Sequence, residues 1–248
     1  MFAYHGDPLI KKELVLRLKD DFKFDRIVHG HYWENGKGCA VGCTIRGSDH
    51  AAYESELGIP QSIARLEDSI FEGLANGAAQ KFPLDFAAAI RPGADLSKVT
   101  AQFLVWVLLD RKHGAIRQAP KEKYADCHNS ILAAAAVWTD YLKTGVINKE
   151  AAYSAADSAR SAADSAPSAA DSAAYSAADS ARSAADSAAD SATYSARSAA
   201  DSARSAADSA AYSAAYSARS AADSAAYSAF WKAAAVTLLK LLKKAPIR

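Results

Sequence analysis

The shortages in this sequence set its first limits. It has three cysteines, Cys39, Cys43 and Cys127, and an odd number does not make a complete disulfide framework. No apolar run approaches the roughly 18 residues that a membrane-spanning helix needs, and no charged-then-apolar leader is visible at the start. A reducing, cytoplasmic setting is the expectation. Formal charge sums to +1, so there is no global field to draw nucleic acid or an anionic membrane. Prolines number seven, and only Pro167 falls between Asn148 and Lys244. Period-two alternation is missing from residues 1–147, which argues against a sheet.

What the chain has in abundance is Ala and Ser. From Ala151 to Ala229 nearly every residue is one of these, and a larger side chain arrives every three or four positions. From Tyr153 to Tyr227, 74 residues pass in 20 such steps, a mean of 3.7, close to the helical 3.6 and closer to an eleven-residue repeat. Asp, Arg and Tyr therefore share one helical stripe, Ser forms a second stripe about 100° round the axis, and the remaining surface is Ala. Asp157, Arg160 and Asp164 alternate in sign at helical spacing, as do Asp179, Arg182 and Asp186. Each such pair adds a few tenths of a kcal/mol. The Ala face stabilises little per residue but lets a second helix approach closely. Packing on another helix is expected, either within the chain or from a second copy, with a homodimer through the Ala face as the favoured form. Pro167 should kink the helix or restart it.

Charge is unevenly placed. Residues 1–147 carry 18 basic and 18 acidic groups, residues 148–228 carry 6 and 10, and residues 229–248 carry 5 and none. The last stretch, Phe230 to Lys244, reads as a basic amphipathic helix that docks on protein, with membrane-surface contact as the sharper alternative. Nucleic-acid binding by the tail is not expected, because Asp outnumbers Arg along the stripe. Ice binding is rejected too, since Thr193 is the only threonine in the repeat.

Residues 1–147 punctuate into helices. Asp7-Pro8 opens one that runs to about Lys23; Ser48 to Leu57 is closed by Gly58; Pro60 opens another that ends before Gly77. Pro83–Ile90, Ser97 to about Lys112 and Lys121–Lys143 follow, the second of these apolar almost all round and so central. Asn148 caps the repeat. The expectation is an all-α chain in three parts: a compact domain of five to seven helices over 1–147, the Ala/Ser-rich helix over 148–229, and the C-terminal helix over 230–248.

Chemistry concentrates between His29 and His50. Three readings compete there. Cys39, after the Gly36-Lys37-Gly38 turn and at a helix start, could be a thiolate nucleophile in a hydrolase or transferase, with His31 or His50 as base and Glu34 beside them; His29 is a further candidate base. Asn35, Gly36, Lys37 and Gly38 could form a backbone nest for a phosphate or nucleotide. His29, His31, Cys39 and Cys43 could bind zinc, although His-x-His beside Cys-x3-Cys fits common structural fingers poorly. Against all three, both cysteines could be small buried apolar residues and the histidines fillers. His113, Cys127 and His128 read as structural, and no cofactor is expected.

The Ala-rich tail with Asp, Arg and Tyr on its beat resembles tails of prophage-type proteins and of immunity proteins from bacterial toxin systems. The stretch His29-Gly-His-Tyr-Trp-Glu-Asn-Gly-Lys-Gly-Cys-Ala-Val-Gly-Cys43, with His50-Ala-Ala-Tyr-Glu54, is similar to the first of these groups. The resemblance implies no activity. Together with a repeat that has no catalytic content, it supports the expectation of a non-enzymatic interaction protein, in toxin immunity or host interaction, that binds a protein partner.

Overall fold

The computed structural model describes residues 2–164 and 221–247. The part of the repeat between them, including the Pro167 kink and the question of a single long rod, lies outside the described residues. Among those described, the protein is all-α: nine α-helices, two short 3-10 turns, and a few isolated bridges in place of strands. No described helix is long and apolar enough to cross a membrane.

The chain forms two compact units, one of Met1–Val99 with Ala234–Arg248 and the other of Thr100–Ala233. Residue 147 lies within the second of these units, between two helices that pack on each other.

In the first unit, helix α1 (Pro8–Lys23) starts as the Asp-Pro pair predicts: Asp7 Oδ1 accepts from the Leu9 amide at 2.7 Å. Helices α2 (Ala40–Ile45), α3 (Ala52–Leu57) and α4 (Gln61–Gly73) follow. α3 begins later than Ser48 suggests, since the Asp49 carboxylate takes the Ala51 amide at 2.8 Å in a turn of its own. α4 buries Ile63, Leu66, Ile70 and Phe71 on one face. α5 (Asn76–Ala89) starts seven residues before Pro83 and carries that proline inside, so Pro83 does not open the helix. Lys11 on α1 reaches the carbonyls of Ala88 and Ile90 at 2.8 and 2.6 Å, closing the C-terminal end of α5. The chain's end belongs here too: the Asp95 amide donates to Pro246 O at 2.8 Å, Arg91 donates to Ala245 O, and Leu238 and Leu242 are fully buried.

The second unit holds most of α6 (Val99–Leu109), then α7 (Ala125–Thr144), α8 (Lys149–Asp164) and the start of α9 (Ala221–Lys244). Asn148 caps α8 through its side-chain oxygen on the Ala151 amide at 3.0 Å. α8 is the first part of the repeat, and its Ala152, Ala155, Ala156 and Ala159 are buried as it packs on α7, which buries Ala134, Ala135 and Trp138. The close approach anticipated for an Ala face is made here within the chain: Ser130 Oγ on α7 reaches the Ser158 carbonyl at 3.3 Å.

Candidate functional site

The segment between α1 and α2 is built around an Asn-Gly turn. Asn35 and Gly36 have φ of 52° and 77°, the pair of positive angles that a tight two-residue hairpin demands. Glu34 and Lys37 exchange backbone hydrogen bonds at 2.8 and 3.0 Å, and the Gly38 amide donates to Arg26 O at 2.9 Å. The Cys39 amide donates in turn to His31 O at 2.6 Å. The amides that an anion nest needs at Lys37, Gly38 and Cys39 are therefore used in holding the loop. Asn35, Gly36, Lys37 and Gly38 form a hairpin turn in this structure, and α2, only six residues long, adds little dipole.

Gly42 lets this loop lie on α2. A Cβ there would stand 1.1 Å from the Tyr32 carbonyl oxygen, so only glycine permits the contact. Beside it Asp21, fully buried, pairs with Arg46 at 2.8 Å and Arg26 at 3.6 Å. The Arg46 guanidinium lies 3.9 Å from the Trp33 ring centroid.

Cys39 is buried, and its Sγ faces Asp68 Oδ1 at 3.8 Å. His50, also buried, sets its Nε2 3.0 Å from Asp68 Oδ2. Two of the residues singled out from sequence thus meet on a third, Asp68, which was not. The Tyr32 ring caps His50 edge-on at 5.8 Å. Glu72, one turn beyond Asp68 on α4, accepts the Gly30 amide at 3.4 Å and completes a Cys39–Asp68–Glu72 group.

The electrostatics run against a nucleophile. Burial, first, and the nearby carboxylates push the Cys39 thiol up to about 12, against some relief from the amides of Gly42 and Val41. Near neutral pH it is a thiol and not a thiolate. His50 faces the carboxylate, and His31 and Glu34 are exposed on the loop, 3.9 Å from each other. The expected set of Cys39, His31, His50 and Glu34 is therefore not assembled as a nucleophile with its base.

The expected zinc set is not assembled either. His29 spends its Nε2 on the Phe71 carbonyl at 3.1 Å and leans on the Phe71 ring. Cys43 points its Sγ to Gly38 O at 3.3 Å, with its thiol pushed up to about 12, chiefly by burial. Cys127 is buried too.

Set against protein-family models, curated proteins and solved structures, the chain matches none.

One exposed hollow remains beside the hairpin. Phe24, Arg26, Trp33, Lys37 and Arg46 line it. Its cations come from three places: the segment after α1, the turn itself, and the left-handed residue that closes α2.

Proposed function

We propose that this is a non-enzymatic interaction protein, of the prophage or toxin-immunity kind its resemblance suggests, and that the hollow beside the Asn35-Gly36 turn holds an acidic protein partner. The observation that carries the reading is the gathering of Arg26, Lys37 and Arg46 around Trp33 and Phe24 on one exposed surface. Arg and Trp are the residue types on which interfaces concentrate their energy. Asp21 offsets one of the three charges and fixes the two arginines in place, which leaves the surface net positive and partly ordered before binding.

The test is calorimetric titration with poly-glutamate as a defined acidic probe. Binding that weakens with salt, and about tenfold in Lys37→Glu, supports the proposal. Steady turnover of any substrate that disappears in Cys39→Ala overturns it, as does binding indifferent to Lys37→Glu.

Self-association through the Ala faces of the repeat belongs to the same reading, with the α7–α8 pair as the example of how closely such faces pack. A light-scattering mass fixed at the monomer value of 26.1 kDa across micromolar concentrations would count against it.

A further inference from the structure

We propose that Cys39, Asp68 and Glu72, with His50 behind Asp68, bind a divalent transition metal, zinc foremost. One donor atom from each of the three residues lies within 4.8 Å of the others. In a tetrahedral zinc site, metal–sulfur and metal–oxygen bonds place neighbouring donors about 3.6 Å apart. Cys39 Sγ and Asp68 Oδ1 already stand at 3.8 Å. Only Glu72 must close in; it is the exposed member of the group, and to ligate it would turn from, or keep with its second oxygen, the 3.4 Å contact with the Gly30 amide.

The scaffold suits the task. Asp68 and Glu72 are four residues apart on α4 and so share a face. Cys39 sits at the N-cap of α2, held by its amide on His31 O. Burial is graded outward from the covered sulfur through Asp68, partly covered, to Glu72 at the surface, which gives an ion a way in. His50, at 3.0 Å from the far oxygen of Asp68, would orient the carboxylate from behind, as outer partners of metal ligands do.

The donor chemistry narrows the ion. One sulfur with two carboxylate oxygens suits zinc and its neighbours and disfavours magnesium or calcium, which take oxygen alone. Binding a dication releases the Cys39 thiol proton to solvent, and the three anionic donors, which repel one another, are each attracted to the ion. Three protein donors also leave a fourth position for solvent or a ligand.

Cobalt(II) is the probe, added under anaerobic conditions to the full chain without a tag. The expected result is a sulfur-to-cobalt charge-transfer band in the near ultraviolet that saturates at one equivalent and is displaced by zinc. The band is lost in Cys39→Ser, kept in Cys43→Ser and Cys127→Ser, and weakened at least tenfold in affinity by Asp68→Asn and by Glu72→Gln. Glu72→Gln alters an exposed side chain, so it keeps the test decisive if Cys39→Ser misfolds. No band, a band that survives Cys39→Ser, or an affinity unmoved by Glu72→Gln overturns the proposal.

Discussion

The α2–α4 region and the α7–α8 pair are both helical and well buried, yet they are ordered by opposite means. Around α2 each position carries its own instruction: Gly42 admits one carbonyl, Asp21 holds two arginines, Asp68 serves both Cys39 and His50. Between α7 and α8 most of the seam is alanine, with the Ser130–Ser158 hydrogen bond beside it. Ala152, Ala155, Ala156 and Ala159 are interchangeable, and what matters is that they recur at helical spacing. Burying one methyl contributes only ~0.8 kcal/mol, so this pair depends on number and regularity. A region of addresses can build a site, and a region of spacing builds a length. Substitutions in the two should therefore behave differently.

The largest contrast expected is in pH dependence. Glu67 is fully buried on α4, where burial, its largest influence, raises its carboxyl to about 8 despite the 2.7 Å hydrogen bond from Tyr53. The folded chain keeps this proton to about pH 8, whereas the unfolded chain releases it near the ordinary value of 4.5. Unfolding thus frees a proton between those values, and stability falls as pH rises through that window, by about 1.4 kcal/mol per unit at the steepest. Below 4.5 and above 8 this contribution is flat. Glu67→Gln, compared with the parent by urea denaturation from pH 5 to 8 in chelator, should flatten the slope and gain relative stability at the upper end. An unchanged slope would mean that the buried carboxyl is not what distinguishes this region.

Gly42→Ala comes next. In an ordinary helix the change to Ala gains roughly 0.5–1 kcal/mol. Here the new Cβ meets a backbone oxygen, not a side-chain tip that could swing away, so we expect a loss of about 3 kcal/mol. A gain would show that the loop is not seated on α2, and the seat of Cys39 would go with it.

How much of this was legible in the sequence follows from the same contrast. The helical class, the Asp7 and Asn148 caps and the Gly58 stop could be read, because local chemistry decides them. Pro83 misled, since a proline is a common helix opener and nothing local says that α5 has already begun at Asn76. The site was half legible. Cys39 and His50 stood out by type, but Asp68 and Glu72 were not singled out among the acidic residues of α4. Their spacing of four was the one available signal, and it became informative only when the fold brought Cys39 and His50 to that face.

In the α7–α8 pair a substitution should be judged by its face alone. Ala156 is buried, and Ala156→Leu should cost about 2 kcal/mol by forcing the helices apart. Any of the other three buried alanines should give a similar loss, whereas a spread as wide as that among Asp21, Gly42 and Asp68 variants would erase the distinction.

The smallest effect expected tests the other side of the same helix. Ser154 lies two residues before Ala156 on α8 and is exposed. Serine is the poorer helix former, because its hydroxyl competes for backbone hydrogen bonds in the unfolded chain. Ser154→Ala should therefore raise stability by about 0.5 kcal/mol, and Ala156→Ser should lower it. The pair of variants removes propensity from the question, because both exchange the same two residue types and differ only in which face carries the hydroxyl. Thermal denaturation that found Ser154→Ala destabilising would assign the serine stripe a contact of its own, and the repeat would then carry addresses as well as spacing.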